Sequence, residues 1–164
     1  MKQIRVIVGA LLFIILITVF PSCKIEHPLT PEQKVGIALD TFVSKLVLNP
    51  PTTADLSDRV KEYLQSNPAT FFGSTVTLLD TAGIATYSPY WYRLNGGLAE
   101  TNLADPSYHI NEQFWLRMPI DKGHSIWTDA YFDAGGGNIW MKTRSVPVFV
   151  DGKLIAVATT DLAL

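Results

Sequence analysis

Residues 127–161 read WTDAYFDAGGGNIWMKTRSVPVFVDGKLIAVATTD, and this stretch decides how the rest of the chain is read. It predicts three consecutive strands joined by two turns. In the first, Ile126–Asp133, Trp127, Asp129, Tyr131 and Asp133 share one parity, while Ile126, Thr128, Ala130 and Phe132 share the other. Alternate residues of a strand face opposite ways, so one side is small or apolar and the other sets two carboxylates between two aromatics. Such a face suits a pocket for a small polar or cationic ligand. It equally describes a solvated face with scattered aromatics.

The second turn, Asp151-Gly152, is a two-residue hairpin signal that sets a register. A regular ladder from it pairs Lys142 with Asp161. The first turn, Ala134–Asn138, instead pairs Tyr131 with Met141 and puts Met141 and Thr143 on the pocket face. Pro147 cannot donate to a ladder and marks an edge or a bulge. One extra residue there would reverse the parity and bring Asp161 onto the face of Tyr131 and Thr143. We expect that bulge. The glycine-rich turn lacks the Lys and Ser/Thr of a phosphate loop, and Asp129, Asp133 and Asn138 lack the calcium-loop spacing.

Upstream, Thr30-Pro31-Glu32-Gln33 starts a helix with a Thr N-cap, Pro at the first position and a capping box. Val35, Leu39, Phe42 and Leu46 follow at helical spacing until Asn49-Pro50-Pro51. A second helix beginning after Thr52 or Thr53 carries Leu56, Val60, Tyr63 and Leu64, and Asn67-Pro68 stops it. Phe71–Leu79 and Ile84–Tyr87 form a hairpin. The cluster Ser88–Arg93 reads either as a ligand wall, with Arg93 gripping a carboxylate, or as a loop closing the core. Leu94–Pro106 reads as a long surface loop, and Asp105 or Ser107 caps a short helix through Tyr108–Trp115.

The N-terminus carries Lys2 and Arg5, the apolar run Val6–Phe20 and then Pro21-Ser22-Cys23. This is a secretory signal pattern, and the run is short for a spanning helix. Cys23 directly after Ser22 resembles the lipobox of bacterial lipoproteins, and three outcomes stand open: Cys23 acylated after cleavage, as that resemblance implies, an uncleaved signal-anchor, or cleavage without lipid. All place the remainder outside the cytoplasm. We divide the chain into 1–22 as signal peptide or signal-anchor, 23–29 as tether and 30–164 as one domain. The net charge of −2 and pI near 5.9 argue against a nucleic-acid partner. The lone cysteine excludes an intramolecular disulfide. His27, His109 and His124 lack metal spacing, and there is no nucleophile elbow. Asp129 and Asp133 alone are too little for an acid/base pair, so we expect no enzyme, cofactor or metal.

Together, Trp127–Asp133, Met141–Pro147, Asp151-Gly152-Lys153 and Thr160-Asp161-Leu162 resemble the Cache domains, extracytoplasmic PAS-like sensor modules of bacterial receptors. The resemblance spans about Thr30–Leu164. It implies an α+β fold: a PAS-like antiparallel sheet with a long N-terminal helix packed on one face. In amino-acid-binding members an Arg-x-Trp-Tyr element precedes a Tyr-x-Asp strand, and a final Asp ends the last strand. Tyr131, Asp133 and Asp161 match, and with them we place Trp115, Trp127, Asp129, Thr143 and Arg93 in the expected ligand site. Gln113 stands at the Arg position and Leu116 at the second aromatic, leaving Arg117 or Arg93 to meet a ligand carboxylate. A cationic or hydroxylic ligand is therefore expected over a standard α-amino acid. Family members usually continue into a second subdomain, a membrane span and an output module, whereas this chain stops at Leu164. The expectations are a tethered sensor acting through a separate signalling protein, a structural or assembly lipoprotein with a non-functional pocket, or the front of a truncated receptor.

Overall fold

The computed structural model describes residues 28–164, so the leader, Cys23 and His27 lie outside the described residues. Helix α1 (Pro31–Leu48) opens with the expected capping box, Thr30 accepting from Gln33 N and Gln33 returning to Thr30 N. Helix α2 (Leu56–Gln65) follows the double proline. Its first turn is tied by Asp55, whose carboxylate takes the N–H and hydroxyl of Thr52.

Eight strands make one antiparallel sheet: β1 (Phe71–Leu79), β2 (Ala85–Tyr87), β3 (Pro89–Leu94), β4 (Gly97–Asn102), β5 (Ile126–Trp127), β6 (Tyr131–Phe132), β7 (Trp140–Val150) and β8 (Lys153–Ala163). The order is β4-β3-β1-β8-β7-β5, with β2 beside β1 and β6 beside β7. Between β4 and β5 the chain makes two 3-10 turns, Pro106–Tyr108 and Ile110–Glu112, then helix α3 (Phe114–Lys122). The fold is the α+β arrangement expected, with the N-terminal helix lying on the sheet.

The central strands sort their side chains cleanly by parity. Val146, Val148, Ala156, Ala158 and Leu162 face α1 and α2 and pack with Val35, Leu39, Phe42, Leu46, Val60 and Leu64. Phe42 stacks on Tyr63 at 4.5 Å, and Tyr63 reaches through to the Thr160 hydroxyl at 2.8 Å. On the other face Val157 packs with Tyr90, Leu103, Tyr108, Ile110, Trp115 and Leu116.

Three expectations are corrected. The cluster at Ser88–Arg93 lies almost wholly in strand β3 (Pro89–Leu94) rather than in a loop, and the supposed loop after it contains β4. Asn95-Gly96 joins them, both at positive φ (49° and 79°), as a two-residue hairpin turn requires. The short helix expected through Tyr108–Trp115 is replaced by the two 3-10 turns, and the α-helix starts only at Phe114. The strand predicted for Ile126–Asp133 is broken in two. Thr128 Oγ1 accepts from Thr143 N at 3.0 Å, taking the place of a ladder carbonyl, and Asp129 and Ala130 leave the sheet.

The expected bulge exists, one strand over. Phe149 pairs with Leu154, but Val148 pairs with Ala156, so the surplus residue is Ile155 on β8. Pro147 pairs regularly with Val157. Thr143 turns its N–H and C=O toward β5, and Pro147, four positions on, shares that orientation. The pairing with β5 ends at Ser145, so the missing N–H falls on an open edge.

Candidate functional site

The bulge places Asp161 opposite Thr143, on the face away from α1. Tyr131 and Met141 are paired as expected, and Tyr131 bonds the Thr143 hydroxyl at 2.8 Å. Thr143 in turn donates to Asp161 Oδ1 at 2.7 Å, making a relay of Tyr131, Thr143 and Asp161. Asp133 arrives from the end of β6. Its Oδ2 accepts from Gly137 N at 3.0 Å and its Oδ1 from the Tyr108 hydroxyl at 2.6 Å. The glycine turn therefore does receive an anion, the chain's own carboxylate. A Cβ on Gly136 would collide with that carboxylate, so the close wrap requires glycine.

Trp115, Tyr131, Asp133 and Asp161 thus come together, with Thr143 bonded behind them, around a small hollow. Thr75, Tyr90, Leu103, Tyr108 and Thr159 complete its wall. Tyr90 belongs to the Ser88–Arg93 cluster, for which a ligand wall was one of two readings; sequence reading missed the other four. Thr75 carries a period-two signal, alternating with Val76, Thr77 and Leu78, whereas Thr159 lies in the polar run Thr159-Thr160-Asp161 and carries none. Tyr90 lies over Gly73, where any Cβ would strike its ring. Its hydroxyl is buried without a hydrogen-bond partner among the described residues.

Three expected site residues lie elsewhere. Trp127 pairs with Arg144 and packs toward α1 and α2, because the break at Thr128 removes the shared parity on which its assignment rested. Asp129 is exposed in that break. Asp129 and Asp133 therefore do not share a site. Arg93 turns to the other face and clamps the end of α2, donating to the carbonyls of Leu64, Asn67 and Phe71 at 2.8–3.0 Å. Arg117 donates to Gly83 O and pairs with Asp121, and Gln113 donates to Tyr108 O. Among the described residues, no lysine, arginine or histidine lines the hollow.

The electrostatics follow from burial. Asp161 is 3% exposed, and burial, with the nearby charge of Asp133, pushes its carboxyl up to about 7 against the hydrogen bond from Thr143. Burial likewise raises the Tyr108 and Tyr131 hydroxyls, the first further by Asp133 and the second by Asp161, so both stay protonated donors. The roomy pocket expected from sequence is not open in this conformation. Tyrosine rings fill it, leaving about 10 Å³, at the threshold for one water molecule. A larger groove of about 470 Å³ between α1 and α2 holds no buried carboxylate.

Comparison with known proteins matches this architecture. The extracellular domain assigned to the histidine kinase soHK1S-Z6 is 26% identical with a TM-score of 0.68, covering 79% of this chain and 52% of that one. The ligand-binding domain of the Campylobacter jejuni chemoreceptor Tlp3, solved with L-valine, is 18% identical with a TM-score of 0.58, covering 77% and 50%. That of the Pseudomonas aeruginosa PAO1 amino acid chemoreceptor PctC, solved with GABA, is 18% identical with a TM-score of 0.55, covering 80% and 56%. The chain thus spans about half the length of these solved relatives. A search of curated protein sequences found no match. Residues 56–164 match the family described as the first PDC sensor domain of methyl-accepting chemotaxis protein-like receptors. With two thirds of its length inside that match and the Cache/PDC architecture around it, the chain belongs to this family of sensor domains.

Proposed function

We propose that this chain is an extracytoplasmic sensor module that takes a small polar or cationic metabolite between the sheet and the 103–116 segment. The observation that supports this most is the convergence of Asp133 and Asp161, from strands separated by β7, beside Trp115 and Tyr131 in a site that no cationic side chain among the described residues lines. Two carboxylates among aromatic rings suit an ammonium group through charge and cation–π contact. L-valine and GABA, held by two of the relatives, each carry a carboxylate as well. Here Arg93 and Arg117 are engaged elsewhere and Gln113 is tied to the backbone, so a ligand carboxylate has no guanidinium waiting for it. A membrane tether through acylated Cys23 or a signal-anchor, and a separate signalling protein, complete the proposal.

A thermal-shift screen against amines, amino acids, carboxylates and nucleobases tests it, because a ligand that binds the native state raises its melting temperature. Amines should shift the protein, and Asp133→Asn and Asp161→Asn should abolish the shift. Labelling with a palmitate analogue should mark the wild type and not Cys23→Ala. The near absence of free space favours a second reading, a structural lipoprotein whose pocket is closed for good. A blank across the whole panel would establish that reading instead.

A further inference from the structure

Segment Leu103–Gln113 crosses the site as two 3-10 turns joined at His109, which adopts left-handed backbone (φ 52°). It sends Leu103, Tyr108 and Ile110 inward. The Tyr108 ring lies against the Gly135 backbone, and its hydroxyl meets two site groups, donating to Asp133 at 2.6 Å and accepting from Trp115 Nε1 at 3.3 Å. A side chain from a segment outside the sheet thereby occupies the donor position that a ligand would need.

We propose that Tyr108 is a tethered competitor for the ligand: its hydroxyl fills the donor position on Asp133, and a ligand enters by displacing it and lifting residues 103–113. The proposal rests on the binding reading above and sharpens its ligand class. A neutral alcohol would exchange one O–H bond to Asp133 for another and gain nothing there. An ammonium brings charge and further N–H donors, so it can displace the phenol. Tyr108 therefore acts as a specificity-determining residue, favouring cationic donors over hydroxylic ones.

The test uses the full chain as wild type, as Tyr108→Phe and as Tyr131→Phe, which removes a site hydroxyl that is not on the crossing segment. Hydrogen exchange is followed by mass spectrometry, and binding of n-propylammonium and propan-1-ol by calorimetry. Tyr108→Phe should accelerate exchange across 103–113 about tenfold, as expected for loss of a hydrogen bond to a charged group, while Tyr131→Phe leaves that segment unchanged. n-Propylammonium should bind Tyr108→Phe about tenfold tighter than wild type, and propan-1-ol should not bind wild type. Unaltered exchange in Tyr108→Phe, or weaker amine binding by it, would overturn the proposal. Faster exchange with no amine bound by either protein would keep the clasp and overturn the binding reading. Should Tyr108→Phe not fold, Asp133→Asn, which keeps an oxygen acceptor but loses the charge, should give a smaller acceleration of the same segment, and none would overturn the clasp.

Discussion

The two faces of the sheet share their central strands and are covered by unlike materials. Under α1 and α2 the strands present Val146, Val148, Ala156 and Ala158, and the helices answer with Val35, Leu39, Leu46 and Leu64. On the other face the same strands present Thr75, Thr143, Ser145, Thr159 and Asp161, all buried. Each of these polar groups lowers its burial cost by a hydrogen bond, except that Ser145 Oγ and the facing Tyr90 hydroxyl have no partner among the described residues. One face holds the domain together. The other carries polar groups that cost stability and offer chemistry.

That contrast can be broken or sharpened by four measurements. The largest effect is expected at Asp161. Its carboxyl is pushed up to about 7 by burial, so the native state holds a proton there that the unfolded chain has released. Stability should fall as pH rises from about 4 to about 7, by up to roughly 4 kcal/mol, and level off above. Asp161→Asn keeps the acceptor for Thr143, so it should flatten that slope and leave the variant more stable than wild type at pH 7.5. Urea denaturation at a series of pH values decides it. A cationic ligand should also bind wild type less well as pH drops below about 7, since Asp161 then carries a proton.

Leu39→Ala comes next, at about 3 kcal/mol of stability lost from the apolar face. Local amide exchange around Asp133 and Asp161 should stay as it was, and coupled changes there would show that the faces are not independent. Arg93→Met should cost about 2 kcal/mol by releasing the four carbonyls it holds between the end of α2 and the start of β1. It should leave any amine affinity untouched, which calorimetry can read and which its original assignment to the site would forbid. Smallest is Asp40→Asn. It removes the exposed carboxylate that takes Arg144 at 2.7 and 3.0 Å, and chemical denaturation should show less than about 1 kcal/mol.

How much of this was legible beforehand varied with the kind of signal. Local chemistry read well: the Thr30 capping box, the apolar stripe of α1 and the Asp151-Gly152 turn each act within a few residues. Tyr131, Asp133 and Asp161 were found through a motif and a parity argument about one bulge. Trp127 and Asp129 were misplaced because period two was extended across a break made by the Thr128 side chain, a tertiary event that no alternation reveals. Asn95-Gly96 was a missed hairpin signal, hidden by the polar residues around it. Tyr108 could not have been found by period at all. It lies in irregular backbone, and its importance comes from a partner 25 residues away.

The surplus residue Ile155 has a consequence for how such a protein can change over time. It separates the phase of the hairpin tip from the phase of Asp161. Paired additions or losses at Asp151-Gly152 would leave the carboxylate where it is. Drawing residue 155 into the ladder opposite Val148 would instead pair Asp161 with Lys142, sending it through the sheet into the aliphatic layer beneath α1, and carry Thr160 outward in its stead. Recognition chemistry here depends on one residue staying outside the ladder, so that Thr143 and not Lys142 stands opposite the acid.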